Sequence, residues 1–130
     1  MIPEDAKNKR GLKKLLHSFK YPISGLRYAF KNEQNLDVHI LATILVVILG
    51  FLLKISYTEW LVVVIVIGLV IATELINTAF EALVDLVSPE YHPLAKVVKD
   101  TAAAAVLVFA ITSVIVGIII FGPKIIGLFI

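Results

Sequence analysis

Glu74, Asn77, Glu81 and Asp85 recur at intervals of three and four residues. On an α-helix of about 3.6 residues per turn, that spacing lays them along one stripe. The segment Trp60 to Thr73, which runs directly into the stripe, contains no charged residue. A helix so uniformly apolar belongs in a bilayer, where an ionised carboxylate costs about 2.5–3.5 kcal/mol on insertion scales. A row of such groups at membrane depth requires a cation, a partner or a reaction to account for it.

Depth separates the members of the row. Trp60 is an interfacial residue type, and the fourteen steps from it to Glu74 rise about 21 Å. In a hydrocarbon core about 30 Å thick, Glu74 then lies several ångströms inside the far boundary. Glu81 and Asp85 extend to the headgroup layer and water, Asp85 as the solvated end. Asn77 is polar on the same face, where leucine is the default.

The elements that must position these residues are membrane spans. At 59% hydrophobic the chain exceeds the roughly one-half typical of soluble domains, and its apolar residues are bunched. The bunches are Ile40 to Leu53, Trp60 to Thr73 running on to Val87, and Ala102 to Phe121. They predict an all-α integral membrane protein with three transmembrane helices. The third helix is expected to start near Leu94 and to end at Gly122-Pro123. Ser88-Pro89 and Pro93 have the form of helix starts flanking a short connection. The small-residue run Ala102 to Ala105 suits close helix contact. The predicted organisation is an N-terminal region 1–35, a three-helix unit 36–122 and a short external tail 123–130.

Ahead of the first span, Leu12, Leu15, Leu16 and Phe19 repeat at helical spacing beside Lys13, Lys14, His17 and Lys20. This predicts an amphipathic helix lying on an anionic membrane surface, interrupted at Tyr21-Pro22. Eight of the twelve Lys and Arg residues precede the first span: Lys7, Lys9, Arg10, Lys13, Lys14, Lys20, Arg27 and Lys31. Lys96 and Lys99 follow the second span. The positive-inside rule places the N-terminus and the second connection in the cytoplasm. The first 35 residues hold no uninterrupted apolar segment of the signal-peptide type. With no cysteine, disulfides and thiolate chemistry are excluded. His17, His39 and His92 lack metal-ligand spacing and are read as interfacial. Three helices enclose too little space to hide the polar stripe, which points to a homo-oligomer.

The segment Glu74-Leu-Ile-Asn77-Thr-Ala-Phe80-Glu81-Ala-Leu-Val-Asp85 resembles the prokaryotic diacylglycerol kinase family, which includes undecaprenol kinases. So do Glu90-Tyr-His-Pro-Leu-Ala-Lys96-Val-Val-Lys99-Asp100 and Gly25-Leu-Arg27-Tyr-Ala-Phe-Lys-Asn-Glu33. The likeness spans essentially residues 19 to 121. It implies a homotrimeric lipid kinase of the bacterial inner membrane, moving the γ-phosphate of ATP directly to a lipid hydroxyl. By position, Glu74 is implied as general base, and Glu33 and Glu81 as the carboxylates holding Mg²⁺ on the nucleotide. Asn77, Lys99 and Asp100 match residues that close around the nucleotide, with Arg27 and Lys20 near the site. Undecaprenol is slightly favoured over diacylglycerol by the Asn77-Thr-Ala and Leu94-Ala-Lys96 wording. Phe80 and the unbroken Ala102–Ala105 run depart from the expected pattern and bear on packing. The alternative function is a small proton-coupled transporter using Glu74, a reading that leaves the further acidic residues and Lys99-Asp100 without a role.

Overall fold

The computed structural model describes residues 11–130. The chain forms two compact units that divide between Glu33 and Gln34.

The N-terminal unit holds α1 (Leu12–Ser18) and α2 (Lys20–Asn32). Leu12, Leu15, Leu16 and Phe19 are all exposed, and α1 buries none of its residues. An apolar face left open in this way suits a helix that lies on a membrane. The helical break falls at Phe19, not at Tyr21-Pro22. Pro22 instead occupies the first turn of α2, where its missing N–H would have had no helical acceptor.

The second unit is α3 (Gln34–Leu52), α4 (Tyr57–Val87) and α5 (Pro93–Gly127). All three are long and apolar enough to cross a bilayer, and α4 packs most extensively on α5. The run Val62-Val-Val-Ile-Val-Ile67 would favour a strand in water. In hydrocarbon every backbone N–H and C=O needs an internal partner, and an isolated segment satisfies that only as a helix. Large apolar side chains such as Leu45, Val64, Ile65, Leu107, Ile118 and Ile119 point outward. That outer surface is one a bilayer or another subunit covers.

The turn between α3 and α4 is tight. Lys54 adopts a left-handed φ of 51°, and the Ile55 N–H donates to the Gly50 carbonyl at 3.1 Å. Ser56 caps α4 through a reciprocal pair: the Glu59 N–H donates to Ser56 Oγ at 3.2 Å, and the Ser56 N–H to Glu59 Oε2 at 3.3 Å. Trp60 lies directly on Gly50, where an added Cβ would meet the indole Cη2 at 2.7 Å. Beside this contact Ile55, Val63, Ile120 and Phe121 form a small buried cluster.

Two expected helix ends differ. Ser88 does not start a helix; it closes α4, its N–H donating to the Val84 carbonyl at 2.7 Å and its hydroxyl to the Glu90 carbonyl at 2.9 Å. The start of α5 is made by His92, whose Nδ1 accepts from the Leu94 N–H at 3.1 Å, with Pro93 at the first helical position. Nor does Gly122-Pro123 end α5, which continues to Gly127. Proline removes one hydrogen bond, but near a helix end that loss is small beside the contacts on either side. Ile120 and Phe121 are buried before it, and Lys124 Nζ donates to Glu59 Oε1 at 3.0 Å after it.

Candidate active site

The polar stripe lies on α4, and its inner part is enclosed. Glu74 is 2% exposed, while Asn77 and Thr78 are each 6% exposed. The Thr78 hydroxyl donates to the Glu74 carbonyl at 2.9 Å. This bond consumes the polar group of Thr78 locally and leaves the Glu74 side chain free to face α3. There, His39 Nε2 lies 3.0 Å from Glu74 Oε1. Glu74 Oε2 and Asn77 Oδ1 are buried with no hydrogen-bond partner among the described residues. Buried polar atoms of this kind are costly unless a ligand, water or ion satisfies them. A cleft of about 320 Å³, lined by Asn35, His39, Glu74, Asn77, Val106 and Leu107 among others, opens beside them.

His39 is therefore not simply interfacial. It lies thirteen steps before the end of α3, about 20 Å, and Glu74 lies seventeen steps into α4, about 26 Å. Helical side chains lean toward their own N-terminus, so in antiparallel helices His39 and Glu74 lean toward each other and close the offset. Counting rise from the shared turn would have found the pair; periodicity along either helix alone does not.

Further along α4, Asn77 Nδ2 donates to Glu81 Oε1 at 3.4 Å, and Glu81 is partly exposed. Asp85 is not merely the solvated end of the row. It accepts from Lys99 Nζ of α5 at 2.6 Å, while Asp100 pairs with Lys96 one turn away on α5. The start of α5 thus lies beside the end of α4, and Lys99 and Asp100 are engaged in exposed ion pairs at that end. Such pairs contribute little stability and exchange partners readily. The remaining sequence-predicted residues belong to the N-terminal unit. Lys20 and Arg27 are exposed on α2, and Glu33 is partly exposed at its C-terminal cap.

The donor set can be tested against a magnesium ion. No group of three His, Asp or Glu side chains among the described residues is arranged to hold a metal. Magnesium usually takes one or two protein carboxylates together with phosphate oxygens and water. A partly exposed Glu81, backed by the buried Asn77, fits an ion that arrives with a nucleotide rather than a resident one.

The family model described as prokaryotic diacylglycerol kinase matches residues 20–121. An undecaprenol kinase from Bacillus subtilis is 42% identical over 121 residues, covering 92% of this chain and 98% of the relative. A diacylglycerol kinase from a Synechocystis species is 41% identical over 88% of this chain and 66% of its own length. One from Pseudomonas aeruginosa is 37% identical over 81% of this chain and 85% of its own. With the three apolar helices and the enclosed α4 carboxylate in place, the chain belongs to the prokaryotic diacylglycerol kinase family and is a membrane-embedded, ATP-dependent lipid kinase.

Proposed function

We propose that the protein transfers the γ-phosphate of ATP to the hydroxyl of a membrane lipid alcohol, with Glu74 as general base. The observation that carries this reading is the enclosed Glu74 carboxylate, whose Oε2 has no partner among the described residues. An alcohol is a weak nucleophile, and a base within hydrogen-bond reach contributes about 10²–10⁴-fold. Glu74 Oε2 accepts the hydroxyl proton while the lipid oxygen bonds to the γ-phosphorus. The bond from that phosphorus to the β,γ-bridging oxygen breaks, and ADP leaves. The rest is positioning and charge neutralisation. Glu81 and Glu33 are the residues that would hold Mg²⁺ on the nucleotide, and Asn77 orients Glu81 through its amide. The bound ion would neutralise phosphate charge. Lys99 and Asp100 reach the nucleotide by exchanging their exposed ion pairs; Arg27 and Lys20 are assigned to the substrate or phosphates by the family resemblance alone. Undecaprenol is the favoured acceptor, supported by the undecaprenol kinase that aligns over nearly its whole length.

In this reading the chain lies in a bacterial inner membrane. The basic N-terminus and the connection at residues 88–92 face the cytoplasm, where ATP is available. Subunits associate, in the favoured arrangement as a homotrimer. The outward apolar faces of α3–α5 and the open cleft beside Glu74 favour association.

The test uses purified protein in bilayers with labelled ATP and either undecaprenol or diacylglycerol. Label should enter the lipid, with undecaprenol preferred, and Glu74→Gln should lower turnover by about 10²–10⁴-fold with nucleotide binding retained. Normal turnover in that variant would remove Glu74 as base. Faster labelling of diacylglycerol would reverse the acceptor assignment.

A further inference from the structure

Phosphoryl transfer with Glu74 as base gives His39 no role of its own. Its ring is mostly enclosed, its side chain being 21% exposed, and its one side-chain hydrogen-bond partner among the described residues is the Glu74 carboxylate. Val38, Ala103, Val106, Leu107 and Ala110 give the same cleft an apolar wall; its two amides, Asn35 and Asn77, make no hydrogen bond to the Glu74 carboxylate among the described residues, Asn77 donating to Glu81 instead. A glutamate has three rotatable side-chain bonds, and an apolar wall does nothing to choose among the orientations of its carboxylate. The bond from His39 does. It engages Oε1 and leaves Oε2 as the oxygen with no partner. An ionised carboxylate only accepts hydrogen bonds, so Nε2 of His39 must carry the hydrogen.

We propose that His39 is the positioning residue for Glu74: its Nε2–H holds Oε1, so that the carboxylate presents Oε2 to the hydroxyl of the lipid acceptor. The assignment rests on Glu74 being the base. His39 keeps its hydrogen throughout; the acceptor's proton passes to Oε2 alone. A purely structural His39–Glu74 link would instead show itself in stability, without a selective effect on turnover.

The test is steady-state kinetics of the full-length protein in bilayers with Mg-ATP and undecaprenol, comparing His39→Ala, His39→Gln and Glu74→Gln. His39→Ala should lower kcat by about 10- to 100-fold, the effect of losing one hydrogen bond to a charged group. KM for ATP and for lipid should stay within about twofold, since nothing that binds either one is removed. His39→Gln keeps an N–H donor at similar reach and should recover most of the loss. A kcat for His39→Ala within twofold of the parent, alongside a crippled Glu74→Gln, would overturn the proposal and leave the base assignment standing. A His39→Gln no better than His39→Ala would also overturn it. Wild-type turnover in Glu74→Gln would overturn both.

Nitrogen NMR of labelled histidine covers the case in which His39→Ala does not fold. In otherwise unaltered protein His39 should be protonated at Nε2, and that resonance should move on Glu74→Gln. A ring protonated only at Nδ1, or an Nε2 signal indifferent to Glu74→Gln, would overturn the proposal.

Discussion

Replacing Gly50 by alanine sets two opposing effects against each other at one atom. Alanine is the better helix former, by about 0.8–1.0 kcal/mol in a helix interior. Its methyl carbon, however, would lie 2.7 Å from Cη2 and 2.8 Å from Cζ2 of Trp60, and 3.2 Å from Cδ1 of Ile55. Carbon atoms in good contact sit about 3.5–4.0 Å apart, so the indole must retreat by roughly an ångström. Its room is limited by the buried Ile55, Val63, Ile120 and Phe121 cluster it packs against, and by the Phe51 ring, tilted against it at a centroid separation of 4.9 Å. Overpacking of this kind costs about 1–3 kcal/mol, so Gly50→Ala should be destabilising by about 1 kcal/mol net, and by no more than about 2. Trp60→Phe deletes Cζ2 and Cη2, and in that background Gly50→Ala should lose its penalty or become favourable. Reversible unfolding in mixed micelles, run as a double-mutant cycle, measures both numbers. Gly50→Ala at least as stable as the parent, or a penalty left unchanged by the smaller ring of Trp60→Phe, would refute the steric account.

Other outcomes follow from the two ends of the bundle. Glu59 both completes the Ser56 cap and pairs with Lys124, so Glu59→Ala should lower the thermal midpoint more than Lys124→Ala, as read by a melting series in detergent. Ser56→Ala should cost about 1 kcal/mol in the same unfolding assay, the usual value of a lost N-cap. At the other end, Asp85→Asn should leave KM for Mg-ATP within about threefold, because its ion pair with Lys99 is well exposed. Lys99→Ala should raise the same KM by about tenfold or more if Lys99 contacts phosphate; equal effects of the two substitutions would separate Lys99 from the nucleotide.

Much of this architecture is legible in the residue order, for physical reasons that also mark where legibility stops. Trp60 to Thr73 holds no charge and runs on through further apolar residues to Val87, so a helix long and apolar enough to cross a membrane is legible there. Pro93 reads correctly as a helix start because a missing N–H matters little there. Gly122-Pro123 reads wrongly as a stop because one lost hydrogen bond near a helix end is small, and buried Phe121 before it and the Lys124–Glu59 bond after it keep α5 helical. Ser88-Pro89 misleads in a similar way: the serine hydroxyl satisfies a carbonyl after one helix rather than an N–H before the next. The His39–Glu74 contact is invisible to any single-helix pattern, since it depends on the offset between two antiparallel helices and on the lean of their side chains. Asp85 likewise depends on α5 returning beside α4 with Lys99 at the matching height.

The seat of Trp60 on Gly50 and the contact of His39 with Glu74 tie α3 to α4 near opposite ends of their shared length. Every atom of both ties lies between residues 39 and 74, within a sequence separation of 35. Because a ribosome adds residues from the N-terminus onward, every residue of both ties is made before Pro93, the first residue of α5. The hydrogen bond that holds the Glu74 carboxylate is thus encoded in the α3–α4 hairpin, while Ala103, Val106, Leu107 and Ala110 of α5 wall the cleft beside it. What α5 brings is its own set of groups, Lys96, Lys99 and Asp100 at one end and Lys124 at the other. In the order of synthesis, Glu33, His39, Glu74, Asn77 and Glu81 are made first, and Lys99 and Asp100 are added to them.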